Sequence, residues 1–296
     1  MKISDILEKR PTVSFEVFPP TKSNENISSV FETVEKVSKY KPDFISVTYG
    51  AMGSDNRGTL PVVDEIQNVH KIESVAHITA VGNTPETILA YCKELKEKGI
   101  RNILCLRGDY PKGYDPKGKE VAFRYAADVV AFIREHFGSY FCLSGACYPE
   151  IHPEASSLKK DLENLRLKVD SGLDYLITQI FFDNNYYYRL KKEAKKARIN
   201  VPIIAGIMPA VNASSLRHIS RVSRCSIPFS LSTLTEKYAG SKDAMREIGI
   251  NFAIHQIIEL IANDADGVHL YTMNKPDMVM SVFDAIPTML KEIDRE

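Results

Sequence analysis

An α/β fold of repeated strand–helix units is what this sequence predicts, on three observations. Eight short apolar segments recur along the 296 residues, each ending in a polar or glycine-containing turn. They are rich in Val, Ile, Leu and Phe without clean polar alternation, the pattern of parallel strands covered on both faces. Amphipathic stretches lie between them, so that strand starts fall roughly thirty residues apart, the length of one βα unit. Eight such units close into a single (β/α)8 TIM barrel, whose active site lies where strands end and βα loops begin.

The first strand is predicted at Thr12–Phe18 (TVSFEVF), followed by a helix over Asn26–Tyr40 with apolar residues at three- and four-residue steps. Strands at Asp43–Tyr49 and Ser74–Ile78 come next, then a helix at Pro85–Lys98 that opens with Thr84 as N-cap and Pro85 at its first position. Gly99 stops that helix before the strand Asn102–Leu106. A helix over Ala122–Phe137 leads to the strand Tyr140–Ala146, and another over Ala155–Ser171, stopped by Gly172, leads to Asp174–Phe181. The tract NNYYY at Asn184–Tyr188 caps and starts a helix before Pro202–Met208. The long interval to the last strand, Val268–Thr272, must hold more than one helix, assigned to Ser214–Val222 and Ala244–Ala262.

Length suits one barrel over residues 1–296 with no second large domain. Lys plus Arg and Asp plus Glu each number 38, and no basic stripe interleaves with aromatics, which excludes nucleic acid as the expected partner and favours a small substrate. MKISDILEKR lacks an apolar signal core and no apolar run reaches transmembrane length, so a cytoplasmic protein without membrane attachment is expected. The five cysteines form no C-x-x-C pair and the seven histidines no H-E-x-x-H, so no metal is required. Gly113–Lys119 (GYDPKGK) has P-loop spacing but fails chemically. Glu120 stands where a hydroxyl would hold magnesium and Pro116 lacks a backbone N–H, which leaves a mobile loop above the fourth strand. Without a G-x-G-x-x-G, a nucleotide cofactor would bind outside a Rossmann domain.

A ring of polar residues marks the strand ends: Glu16, Thr48, His77, Arg107, Asp109, Tyr148, Gln179 and Lys275. Singly, each has an ordinary structural explanation. Glu16 can be salt-bridged to a neighbouring strand, His77 can be a satisfied core histidine, and Arg107 and Asp109 can pair with each other or cap the next helix. Convergence of several ionisable and amide side chains on one rim is harder to explain by stability alone.

The segments SFEVFPP, VTYGA, LRGD, YPEIHPE and ITQIFFD, in this order and spanning nearly the whole chain, resemble the 5,10-methylenetetrahydrofolate reductase family. The resemblance implies a bound FAD, its reduction by NADH or NADPH, and reduction of methylenetetrahydrofolate to 5-methyltetrahydrofolate. By motif, Glu16 matches the family's general acid, which protonates the folate so that its methylene bridge opens to an iminium. Such a carboxyl must hold a proton near neutral pH, and flanking Phe15 and Phe18 are expected to supply apolar surroundings that raise its pKa. Asp109 resembles the aspartate beside flavin and folate, whose charge favours the cationic iminium. Gln179 matches the folate-orienting glutamine. Positions resembling FAD contacts are Thr48, His77, Arg107, Gly108, Asp109, Tyr125, Ala126, Tyr148, His152, Ala155, Asp161, Asn164 and Lys168. Asp161, Asn164 and Lys168 repeat at helical spacing on one face, with Leu162, Leu165 and Val169 free to face the barrel.

Four departures accompany the match. Leu167 stands where the best-known bacterial pattern has an arginine, with Arg166 about a hundred degrees around the helix. Lys275 in YTMNKPD replaces the arginine expected to contact folate after the last strand. Ser215 and Ile219 replace a glutamine and a phenylalanine of the substrate segment. Two other classes are compatible with this pattern: a non-reducing flavin subunit that exchanges electrons with a partner protein, and a pterin-binding methyltransferase barrel. A homo-oligomer is also open, and the adenosylmethionine-responsive domain of eukaryotic relatives is expected to be absent.

Overall fold

A computed structural model describes residues 1–20, 27–49, 58–110 and 121–293. The GYDPKGK loop lies outside the described residues. Eight parallel strands close in sequence order: β1 (Thr12–Val17), β2 (Phe44–Val47), β3 (Glu73–Thr79), β4 (Asn102–Leu106), β5 (Cys142–Cys147), β6 (Tyr175–Thr178), β7 (Ile203–Ile207) and β8 (Gly267–Tyr271). The barrel is shut by β1 pairing with β8, with Ser14 opposite His269 and Glu16 opposite Tyr271.

Asp43 and Asp174, expected inside strands, sit just before them, and the reason is a hydrogen bond. The Asp43 carboxylate accepts from Val13 N at 2.8 Å while holding Arg10, and the Asp174 carboxylate accepts from Leu143 N at 2.7 Å while holding Arg134. Asp266 does the same for Ile203 N at 2.8 Å, with Lys191 as its cation. Each carboxylate satisfies an N–H within the first two residues of a neighbouring strand at the barrel's lower end.

Helix α1 (Ile3–Leu7) plugs that end. Its Ile3 packs on Phe44, Val75, Leu104, Cys142 and Tyr175, which point into the barrel, and Ile3 N donates to Asn102 Oδ1 at 2.9 Å. Alternate strand residues, among them Phe15, Val17, Ile45, Val47 and Ile78, face the helical ring instead. That ring comprises α2 (Ser28–Ser38), α3 (Thr59–Asp64) continued by a π-helical turn at Glu65–Val69, α4 (Pro85–Glu97), α5 (Ala126–Phe137), α6 (Leu158–Asp170) and α7 (Asn184–Lys196). Thr84 caps α4 as expected, accepting from Thr87 N at 3.3 Å.

The interval before β8 holds three helices rather than the two assigned: α8 (Ala213–Ser223), α9 (Phe229–Lys237) and α10 (Lys242–Ala262). After β8 come α11 (Pro276–Phe283) and α12 (Pro287–Ile293). Among the described residues, no helix is long and apolar enough to cross a membrane.

Candidate active site

The strand periodicity that sends Phe15 outward sends Ser14 and Glu16 inward, and Glu16 arrives buried at the floor of a cavity of about 670 Å³. Three polar neighbours surround its Oε2: Ser46 Oγ donates at 3.2 Å, His77 Nε2 lies at 3.4 Å and His269 Nε2 at 3.5 Å. His269 is fixed from below, with Nδ1 2.8 Å from Ser14 Oγ, and its ring stacks on Phe44 and meets Tyr271 edge-on. The tautomer with hydrogen on Nε2 gives Glu16 a second donor.

Burial pushes the Glu16 carboxyl up, but the hydrogen bond from His269, the neighbouring imidazoles and Ser46 outweigh it, and the net direction is down. Burial also pushes His77 down to about 4, which leaves that ring neutral near pH 7. The downward direction of Glu16 thus rests on His269, His77 and Ser46 together. This corrects the expectation of a pKa raised by flanking aromatics. Phe15 faces the helical layer, edge-on to Phe283 with centroids 5.0 Å apart, and only Phe18 lines the cavity.

The end of β4 supplies the next part of the wall. Gly108 adopts φ +79°, and a Cβ there would lie 3.0 Å from Thr79 Cβ, so only glycine fits without strain. It delivers Asp109 to the cavity rim, exposed. Arg107 does not pair with Asp109. It forms a two-pronged ion pair with Glu154, at 2.6 and 2.9 Å, joining β4 to the segment after β5.

That segment carries a second cluster. His152 N donates to Asp161 Oδ2 at 2.9 Å, Tyr148 packs edge-on against His152, and Lys168 Nζ donates to Ala146 O, itself a cavity residue. Burial pushes the Asp161 carboxyl up and the Lys168 ammonium down, so both charges stand partly stripped of water. Ala155 N donates to His152 O within the same turn. Leu162 and Leu165 are buried on the adjoining face of α6, while Asn164 is exposed.

Thr48, His77, Gly108, Asp109 and Gln179 thus line one cavity with Glu16, and the β5–α6 cluster adjoins it. The Gln179 side chain accepts from Ile180 N at 2.8 Å and also hydrogen-bonds the Tyr148 hydroxyl. Tyr125, at the N-cap position of α5, and Ala126 after it lie outside the cavity lining, the former 56% exposed. Lys275 is not brought in either. It lines a neighbouring groove of about 620 Å³ with Lys36, Lys242 and Arg246, while Met273 occupies the central rim.

The departures also find places. Leu167 is 66% exposed and Arg166 pairs with Asp170 at 3.5 Å. Ser215 N donates to the α8 cap Asn212 Oδ1, whereas Ile219 lines the cavity. Ser14, Ser46 and His269 were not singled out in sequence, although an inward period-two pattern on β1, β2 and β8 connects all three with Glu16.

The family model described as methylenetetrahydrofolate reductase matches residues 2–287. A 5,10-methylenetetrahydrofolate reductase of Salmonella typhimurium is 34% identical over 270 residues, covering 91% of this chain and 88% of the relative. An Arabidopsis thaliana relative named methylenetetrahydrofolate reductase (NADH) 1 is 34% identical over 284 residues. The chain spans about half the length of the plant and Schizosaccharomyces pombe relatives it matches, 46–48% of each. Among solved structures, a Clostridium thermocellum protein reported to bind two copies of 5-methyl-5,6,7,8-tetrahydrofolic acid superposes with TM-score 0.64 at 14% identity over 98% of this chain, which supports the fold. On the strength of the family match over residues 2–287, the chain belongs to the methylenetetrahydrofolate reductase family.

Proposed function

We propose that this chain reduces 5,10-methylenetetrahydrofolate to 5-methyltetrahydrofolate with FAD as cofactor and NADH or NADPH as hydride donor, in a ping-pong sequence. The observation that carries this reading is the buried Glu16, held by His269 and Ser46 at the floor of a cavity whose rim bears Asp109 and Gln179. The residues present fit a flavin. His77 Nε2 is buried without a hydrogen bond at the cavity wall, Gly108 keeps the β4 turn free of a side chain, and Asp161 and Lys168 offer desolvated charges beside Ala146. Thr48, His77, Gly108, His152, Asp161 and Lys168 would hold it. When bound, FAD supplies a two-electron carrier between nicotinamide and folate.

The chain's own residues handle the proton and the charge. Glu16 donates a proton to the bridging nitrogen of the folate, which opens the methylene bridge to an iminium. Its downward-shifted pKa must rise for that step, and a substrate seated over the cavity floor supplies the cause by excluding water. His269 Nε2, 3.5 Å away and anchored through Ser14, orients the carboxyl for that transfer. Asp109, on the exposed rim, faces the iminium's developing positive charge. Gln179 orients the pterin edge with its side-chain amide.

Glu16→Gln tests this reading. Flavin reduction by NAD(P)H should persist, while reoxidation by methylenetetrahydrofolate should fall by about 10²–10⁴-fold, as for loss of a general acid. Near-normal reoxidation in rapid-mixing experiments would make Glu16 a structural residue. A colourless protein that FAD cannot reconstitute would remove the proposal entirely.

A further inference from the structure

Met273 is exposed where an apolar side chain gains nothing from water. Among the described residues, Val222 and Met273 are the only exposed large apolar side chains that line the central cavity, and Met273 is 45% exposed. Its backbone is strained as well. Met273 and Asn274 adopt φ +51° and +52°, two left-handed residues in succession just after β8. Lys41, Lys71, Arg198, Arg224 and Asp264 share that conformation, but each follows a helix, where a left-handed residue is an ordinary stop. Asparagine tolerates the region through local hydrogen bonds, whereas methionine meets a steric cost that glycine avoids.

The turn is fixed to the strand that carries Glu16. Asn274 Nδ2 donates to Phe18 O at 2.7 Å, and its Oδ1 accepts from Phe18 N at 2.9 Å. Thr272 Oγ1 donates to Glu16 O at 2.6 Å and accepts from Asn274 N at 3.1 Å. These bonds keep Met273 in a conformation its own side chain disfavours, and they leave that side chain at the cavity rim.

Strand order decides what Met273 meets there. The flavin residues Thr48, His77, Gly108, His152, Asp161 and Lys168 come from β2 through α6, whereas the folate residues Glu16 and Gln179 stand on β1 and just after β6. The barrel closes in sequence order, so β7 and β8 fill the arc from Gln179 to Glu16. A ring held by both side chains crosses the ends of those two strands, where Met208 is buried and Met273 presents its thioether.

We propose that Met273 is a substrate-binding residue that packs its thioether against the pterin of the folate, held in place by the strained turn. This rests on the folate-reductase reading. The side chain buries its exposed apolar surface against the ring, and sulfur contact with the planar pyrimidine half adds to that burial.

Calorimetry of the oxidised holoenzyme with methylenetetrahydrofolate tests this without turnover, beside urea unfolding of the same proteins free of folate. Met273→Gln keeps the length but is polar, and should raise Kd about three- to tenfold. Met273→Leu, close in volume, should bind within about twofold of wild type. Met273→Gly should weaken binding at least as much as Met273→Gln, while its unfolding midpoint stays at or above wild type because glycine removes the strain. A lowered midpoint with unchanged Kd would mark Met273 as structural and overturn the inference. The Kd of NADH for dithionite-reduced Met273→Gln should stay within about twofold of wild type, and a loss confined to NADH would overturn the assignment to folate. If wild type binds folate and the Gln and Gly variants bind it equally well, the inference falls and the functional reading stands. Wild type that binds no folate would remove both.

Discussion

His77 makes the stability of this barrel depend on pH in a calculable way. Burial holds its imidazole at about 4 against an ordinary 6.5. Below 6.5 the unfolded chain takes up a proton that the native ring refuses, so stability falls as pH drops through that window and the loss saturates near 4. The full difference is worth about 3 kcal/mol, of which about 2 kcal/mol falls between pH 7 and pH 5. Glu16, whose pKa is lowered, loses its contribution only when pH falls through its folded value, at the acid edge of the range. Measurement between pH 7 and pH 5 therefore isolates the imidazole. His152, also shifted down by burial, is common to both proteins and cancels. Urea unfolding of wild type and His77→Gln at equal cofactor content should show the variant losing about 2 kcal/mol less across this interval. Parallel pH profiles would refute the neutral, buried assignment of His77.

Asp109→Asn should raise the flavin potential and slow the folate half-reaction more than the nucleotide half-reaction, and an unchanged potential in a redox titration would place Asp109 away from the flavin. Lys275→Ala should weaken folate binding by up to about fivefold, the limit for one exposed charge, with flavin reduction unchanged and Lys275→Arg tolerated. Equal losses in both half-reactions would instead mark Lys275 as structural at the start of α11. Gly249→Ala should lower the unfolding midpoint even though alanine favours a helix by about 1 kcal/mol. A Cβ there would stand 2.5 Å from Ala210 C and 2.6 Å from Val211 N, so α10 could not keep its seat on the turn before α8. A midpoint equal to or above wild type would show that the turn yields freely.

The strands were legible because residues such as Ile103, Leu143 and Ile204 are buried on parallel strands that show water no face. Their ends were less so, since Asp43 and Asp174 act as side-chain acceptors for a neighbouring strand, a role that no local pattern reveals. Glu16 was found by its motif, but its electrostatics were not. Whether Phe15 or Ser14 shares its surroundings depends on which face of β1 is inward, and His269 reaches it only through a pairing with β8. The α9 helix escaped notice because its apolar residues, Phe229 and Leu234 exposed and Leu231 buried, form no continuous stripe. Lys275 sits only two residues beyond Met273, yet the turn between them carries it from the cavity into the neighbouring groove.

The β1–β8 closure also governs when the Glu16 site can be completed during synthesis. Ser14 and Glu16 emerge early, but their partner His269 lies on the last strand, so a nascent chain lacking β8 has the carboxyl without that neighbour. Joining these strands is among the longest loop closures the fold makes, and it comes only when the cylinder is complete. Completion of the Glu16 site is thereby coupled to finished folding, and a partly assembled barrel would carry the carboxylate without the imidazole that neighbours it.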